Sequence, residues 1–372
     1  MKKKIALINF DLTCRGGSQQ VLVNIANALC ERYEFYVISL AAENNSCAYL
    51  LSSDIHYKNI LPYKARIRQA ILHGGKKLRA YLKENGIEQV QYVGAYAGLC
   101  ASIMCRRLTV EKVFCDHGAL MNQWHEKPAR IMRTLGCRLS DLTVVLTEQS
   151  RQAYLDKLKC RYSQVKTIYN WIDEDVYEKA GAYDQNSRKL ITAGRFSHEK
   201  GYDLLVEVAK KLHDEGVEFI WDIFGGGDTF EEVKSKIQEY GIEKQVILKG
   251  LTDRMYEQYQ GHALYVLTSY REGLPLVLLE AKANHLPLIS FDIVSGPSEI
   301  IRDGVDGILV PAYDIAAMAD AIKTLLNDEK AKITMSSHAC ENLELFSKEK
   351  ILKQWIEIMD GISCDKIRED CI

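Results

Sequence analysis

No apolar run in this 372-residue chain approaches the roughly 20 residues that span a bilayer. The start, Met1-Lys2-Lys3-Lys4 followed by Ile5 to Phe10, imitates a signal peptide briefly. Asp11, Arg15 and the paired glycines end that imitation and leave a first β-strand. The 11 cysteines contain no C-x-x-C pair, which argues against a zinc ribbon or a dithiol redox motif. Scattered and odd in number, they fit free thiols in a reducing cytosol. No nucleic-acid-binding motif is present. Acidic residues are missing between Lys58 and Lys83, a stretch holding Lys58, Lys64, Arg66, Arg68, Lys76, Lys77, Arg79 and Lys83. Ile67, Ala70, Ile71, Leu78 and Leu82 interleave with these cations, the pattern of a basic amphipathic segment able to rest on an anionic bilayer.

The length exceeds what one hydrophobic core usually serves, so two domains are expected. Charge divides along the chain. Residues 1–170 hold 25 Lys and Arg against 13 Asp and Glu, net +12, and the remainder holds 23 against 37, net −14. Two surfaces of opposite sign, or a basic first domain that meets an anionic partner, both follow from that asymmetry. Short apolar strands alternate with helical stretches in each half, which implies parallel sheets with ligands at the carboxyl ends of strands. Strands are expected at 5–10, 35–40, 90–93, 113–115 and 142–146, then at 189–193, 219–224, 246–249, 263–268, 288–290 and 307–310. Residues 169–173 read as a crossover, and Lys348 to Met359 as a last helix with one apolar face.

The most informative run is Arg271-Glu272-Gly273-Leu274-Pro275-Leu276-Val277-Leu278-Leu279-Glu280. It follows a strand, turns at Gly273 and Pro275, and enters a buried helix. A strand, a tight loop and a helix N-terminus form a site for an anion, whereas two carboxylates there suit neutral hydroxyls. Glu272 and Glu280 could instead be the acid and base of a glycoside hydrolase. Arg195 and Lys200, in the loop Gly194-Arg195-Phe196 with Glu199-Lys200-Gly201, argue for a phosphate leaving group. Gly225-Gly226-Gly227 ends the next strand and permits close backbone approach. Ser298, after Gly296-Pro297, is placed to cap a helix. Asp173-Glu174-Asp175 imitates a D-x-D metal motif but lies in the crossover and reads as solvated.

The strings GRFSHEKG, FGGGD, SYREGLPLVLLEA and FDIVSGPSEIIRDGVDGILVP, in that order over Gly194 to Pro311, resemble the family 4 retaining glycosyltransferases of the two-domain GT-B fold. The last string is most similar to the amylovoran-type subgroup, which builds exopolysaccharides and lipid-linked glycans. In the first half CRGGSQQVLVNIANAL resembles the family's glycine-rich first loop, with Gln19 where relatives usually have glutamate, and Asp116-His117-Gly118 matches the active-site histidine position. Asn284-His285 replaces a small-Gly pair, a turn that Asn tolerates.

The resemblance implies an α/β fold of two Rossmann-like domains facing across a cleft. The first would be 1–170 plus a C-terminal helix at about 348–372 packing back on it, the second, nucleotide-sugar-binding, 171–347. It implies that Arg195 and Lys200 neutralise a departing diphosphate. Glu272, with the amides of Gly273 and Leu274 beside Pro275, would hold sugar hydroxyls, and Glu280 the ribose. Gly194 and Gly225 would bring backbone close to the donor, Gly16 and Gly17 would bring amides near the donor phosphate or the acceptor, and His117 would face the reacting sugar, binding a hydroxyl or orienting the acceptor. The implied activity is metal-independent, retaining transfer of a hexose or N-acetylhexosamine from a UDP-sugar co-substrate, with no other cofactor, to a lipid-linked glycan in surface polysaccharide or capsule assembly. The enzyme would be cytoplasmic and peripheral on the inner face of the cell membrane, docked through Arg66, Arg68, Lys76, Lys77 and Arg79. A non-catalytic GT-B partner of another transferase and a GT-B nucleotide-sugar epimerase remain the alternatives.

Overall fold

The computed structural model describes residues 2–361 apart from 15, 45, 174, 175 and 177–179. Arg15, Glu174, Asp175 and the stretch 362–372 therefore lie outside the described residues. The chain divides into two compact units, residues 1–170 with 351–372 and residues 171–350.

In the first unit seven parallel strands form one sheet: β1 (Lys4–Asn9), β2 (Glu34–Ala41), β3 (His56–Leu61), β4 (Gln89–Val93), β5 (Glu111–Asp116), β6 (Leu142–Val145) and β7 (Val165–Thr167). Their spatial order is β3-β2-β1-β4-β5-β6-β7. Helices α1 (Gly17–Leu29), α2 (Gly75–Glu84), α3 (Ala95–Cys105), α4 (Lys127–Arg138) and α5 (Glu148–Leu158) make the crossovers. The central strands are apolar on both faces because helices cover both; β4 is buried throughout. The edge strands β3 and β7 were not legible in the sequence. The first opens with the polar His56-Tyr57-Lys58 and the second has only three residues.

The second unit repeats the plan with β8 (Lys189–Ala193), β9 (Ile220–Phe224), β10 (Val246–Gly250), β11 (Leu264–Leu267), β12 (Leu288–Asp292) and β13 (Gly307–Pro311), all parallel, in the order β10-β9-β8-β11-β12-β13. Helices α6 (Tyr202–Asp214), α7 (Phe230–Tyr240), α8 (Leu276–Ala283), α9 (Pro297–Ile300), α10 (Ile315–Asn327) and α11 (Glu329–His338) accompany it. Leu205, Val206, Trp221, Val266, Ile289, Phe291 and Ile322 form its core. The indole of Trp221 donates to Thr192 Oγ1 at 2.9 Å, and Thr192 donates onward to the Val266 carbonyl at 2.6 Å, so these two buried polar groups are partnered.

The last helix, α12 (Lys348–Met359), carries the chain back to the first unit. Ile351, Trp355, Ile358 and Met359 are buried. Asp360 takes Arg32 Nη2 at 2.7 Å and the Tyr33 hydroxyl at 2.6 Å, and Gln89 Nε2 donates to the Ile358 carbonyl at 3.0 Å.

Two local expectations fail. Ser298 is not the N-cap of α9: the helix starts at Pro297 with Gly296 as its N-cap, because proline supplies the fixed φ of a first helical turn. The left-handed residue of the 284–285 turn is His285 (φ +61), while Asn284 stays at φ −94 and bonds back through Nδ2 to the Glu280 carbonyl at 3.0 Å.

Glycine is required where the strand-end loops meet. Gly225 sits at φ +141, and a Cβ there would lie 1.8 Å from the Gly194 carbonyl oxygen. A Cβ on Gly201 (φ +61) would lie 2.1 Å from the Thr268 carbonyl oxygen. The close approach that the glycine triplet permits is thus first an approach to the chain itself. Gly225→Ala should cost at least about 2 kcal/mol, since strained backbone and overlap add. A thermal unfolding midpoint equal to that of the unsubstituted protein would contradict this packing.

Candidate active site

In each unit the chain runs outward through three strands and then returns to the other side of the first, so β1 lies beside β4 and β8 beside β11. Loops leaving such a pair run in opposite directions and open a crevice at the carboxyl ends. In the second unit the loop after β8 carries Gly194, Arg195 and Lys200, and the loop after β11 carries Glu272, Gly273, Leu274 and Pro275. Lys200 Nζ lies 2.6 Å from Glu272 Oε1, although 72 residues separate them. The same oxygen accepts from Ser269 Oγ at 2.6 Å. Glu272 is buried at 8 % side-chain exposure and Lys200 is 26 % exposed, so the cation is the partner that can turn to a ligand. Burial of a carboxylate requires such compensation.

Around this pair the backbone offers donors. Among the described residues, the N–H groups of Gly273 and Leu274 meet no protein acceptor, just ahead of α8 with Pro275 as its N-cap. Arg195 is exposed and has no partner among the described residues. Gly194 is fixed by the Tyr202 hydroxyl, which donates to its carbonyl at 2.9 Å while the Tyr202 ring stacks on Phe196 with centroids 4.1 Å apart. Glu280 lies one helix face away and uses one oxygen: Oε2 accepts from the Tyr259 hydroxyl at 2.6 Å. Desolvation pushes the Glu280 carboxyl up, Tyr259 pulls it down, and Asp173 raises it again. Ser269 and Tyr259 carried no sequence signal, since their role depends on long-range contact. Asp173 itself is exposed.

In the first unit β1 leads to Gly16 and Gly17 at the start of α1, and β5 leads to His117. Gly16 is less open than its motif suggests. Its N–H donates to the Tyr49 hydroxyl at 2.8 Å and its carbonyl accepts from the same hydroxyl at 3.0 Å. Gly17 faces open space. Gln19 folds back, Nε2 reaching the Asp11 carbonyl at 3.4 Å and Oε1 accepting from Ser18 Oγ at 3.0 Å. The half-buried His117 imidazole has no hydrogen-bond partner among the described residues. Desolvation lowers its pKa to about 4 against the opposing pull of Asp116, so the ring is neutral at pH 7. A cavity of about 530 Å³ lined by Gln89, Lys112, Leu142, Val165 and Ile358 opens at the other, amino end of this sheet, away from these residues.

The basic segment is mostly a core element. Ala70, Leu78 and Leu82 are buried, and Ile67 and Ile71 pack on the same cluster, so these five are taken up by the fold, whereas Leu72 is exposed. Arg66, Arg68, Lys76 and Lys77 are exposed. Arg79 is not a free surface cation: its Nη1 donates to the Met104 carbonyl at 3.0 Å. Among the described residues no helix is long and apolar enough to cross a membrane.

Known proteins share the plan and are similar in sequence. At 18 % identity the fold superposes on sucrose-phosphate synthase from Thermosynechococcus elongatus, with a TM-score of 0.84 over 97 % of this chain and 99 % of that one. It also superposes on Anabaena HepE in complex with UDP, with a TM-score of 0.79 over 97 % of this chain and all of that one, again at 18 % identity. In sequence the chain is 25 % identical to an uncharacterised glycosyltransferase of Haemophilus influenzae, over 96 % of this chain and all of the relative. It is 27 % identical to the amylovoran biosynthesis glycosyltransferase AmsD of Erwinia amylovora, over 68 % of this chain and 71 % of the relative. A third relative, 23 % identical over 92 % of this chain and 95 % of its own length, is an α-1,4-N-acetyl-D-galactosaminyltransferase of Campylobacter jejuni named for a diNAcBac-PP-undecaprenol-linked substrate. The family model "Glycosyltransferase Family 4" matches residues 15–176, and "Glycosyl transferases group 1" matches residues 173–341. Between them the two matches run through both units, and the chain belongs to the family 4 glycosyltransferases with their GT-B fold.

Proposed function

We propose that this glycosyltransferase moves a hexose or N-acetylhexosamine from a UDP-sugar to a lipid-linked glycan, with retention of configuration and without a metal, at the inner face of the cell membrane. The observation that carries the reading is the Lys200–Glu272 contact at the β8–β11 reversal, with two open amides beside it. The UDP complex of Anabaena HepE supports the donor, and the names of the Erwinia and Campylobacter relatives support a surface or lipid-linked glycan.

On this reading Lys200 and Arg195 take the diphosphate, the lysine as a point charge and the arginine through its fork. Lys200 then leaves Glu272, whose carboxylate accepts hydroxyls of the sugar while Gly273 and Leu274 donate to them. Glu280 keeps Tyr259 on one oxygen and offers the other to the ribose. The bond from the anomeric carbon to the phosphate oxygen breaks and the cations hold the developing charge. The acceptor oxygen bonds to the same face, and its proton passes to the departing phosphate. Positioning and charge stabilisation supply the rate. His117, neutral, binds a substrate hydroxyl through either ring nitrogen.

Lys200→Met should lower release of UDP by on the order of 100–1000-fold, as loss of one preorganised charge partner does. A panel of UDP-sugars with a polyprenyl diphosphate-linked acceptor supplies the assay, and turnover equal to that of the unsubstituted enzyme would overturn the assignment. The product anomer, read by NMR, should match the donor's, and chelators should leave the rate unchanged. Co-sedimentation with anionic liposomes should fall with salt and on exchange of Lys76 and Lys77 for glutamate, each cation contributing about 1 kcal/mol. Binding that ignores both changes would remove the membrane claim. Finally, the His117 ring should titrate by NMR near 4. The unfolded chain protonates this residue near 6.5 and the folded one near 4, so its contribution to stability declines as pH falls through that window. A midpoint near 6.5 would refute the desolvation of the ring.

A further inference from the structure

Asp116 ends β5 with its side chain 1 % exposed, and the chemistry assigned above makes no use of it. Its Oδ2 accepts from Arg133 Nε at 2.8 Å and from the Tyr154 hydroxyl at 2.8 Å, and its Oδ1 accepts from the Gly118 N–H at 3.2 Å. Arg133 reaches in from α4 with 5 % side-chain exposure, and its Nη1 donates to Gln123 Oε1 at 2.8 Å. Tyr154 comes from α5, where burial drives its phenol far above the usual range and keeps it a donor. Gly118 is small by necessity, since a Cβ there would lie 2.6 Å from Arg133 Nη2. Three elements therefore converge on the residues either side of His117.

A buried ion pair adds little net stability over apolar residues of the same shape, yet removing one partner is costly. Its place here matches a need for direction rather than stability. We propose that Arg133, acting through Asp116 with Tyr154, is a positioning residue that fixes the turn 116–118 and so the direction of the His117 imidazole. The proposal rests on the reading of His117 as a ligand to a substrate hydroxyl. Asp116 itself does not orient the ring directly, since its oxygens are taken by Arg133, Tyr154 and Gly118.

The test removes the clamp while keeping the fold. Asp116→Leu with Arg133→Met replaces both charges, an exchange that is often neutral for stability. The expected result is a 10- to 100-fold fall in kcat with donor KM within twofold, because the donor groups lie in the other unit. The His117 NMR midpoint should rise from about 4 toward 6.5 as the released ring hydrates. Loss of the Asp116 charge alone moves it the opposite way, so a rise reports release of the ring. An unchanged kcat together with an unmoved midpoint would overturn the proposal. If the double variant does not fold, Tyr154→Phe and Arg133→Lys keep the buried charges. Each should then lower kcat severalfold, and wild-type kcat in both would equally overturn it. His117→Ala separates this result from the underlying reading. Full turnover in that variant refutes the role of His117, while the NMR midpoint still reports whether Arg133 holds the ring.

Discussion

A parallel sheet whose chain returns to the other side of its first strand leaves a gap at the carboxyl ends of two neighbouring strands, and that gap fixes where polar chemistry can sit. Both units obey this constraint, with β1 against β4 and β8 against β11. In the second unit it brings Lys200 to Glu272 across 72 residues of sequence. A carboxylate as buried as Glu272 costs free energy unless it is paired and hydrogen-bonded. Lys200 and Ser269 supply those partners, the surrounding loops pack closely at Gly201 and Gly225, and the lysine remains the more exposed partner. The site therefore holds a lysine and a carboxylate paired with each other. On the proposed reading, a diphosphate bearing a polyhydroxylated group would satisfy each of them separately.

Much of this plan was legible because periodicity and turn chemistry agree locally. Strand β11, the turn at Gly273 and Pro275 and helix α8 follow one another without conflict, and α8 begins at Leu276 where the apolar run begins. What escaped depends on contacts distant in sequence or on edges. Strands β3 and β7 border the sheet, so their sequences lack the apolar run of a strand covered on both faces. The partners of Glu280 and Glu272, Tyr259 and Ser269, look like ordinary core and loop residues until the fold closes. The basic stretch misled through Arg79, whose spacing suits a surface stripe while its guanidinium serves a backbone carbonyl of α3. Gly16 shows the same limit, because nothing near it in sequence reveals that Tyr49 occupies its amide.

The first unit uses buried charge differently. Its ion pair, Asp116 with Arg133, faces no open donors and is closed off by Tyr154 and Gly118. The adjacent His117 is kept neutral by desolvation, which suits a ring that exchanges hydrogen bonds with hydroxyls and ill suits one that carries a charge. The two units thus differ in their electrostatics: an exposed Arg195 beside the paired Lys200 and Glu272 in one, a neutral imidazole beside a buried ion pair in the other.

The central claim is that the second unit holds a nucleoside diphosphate by its phosphates with Lys200. Calorimetric titration with UDP and with uridine tests it most directly. UDP should bind at least tenfold more tightly than uridine, and Lys200→Met should remove most of that difference while leaving uridine binding unchanged. Equal affinity for the two ligands in the unsubstituted protein, or a difference that survives in Lys200→Met, would contradict it.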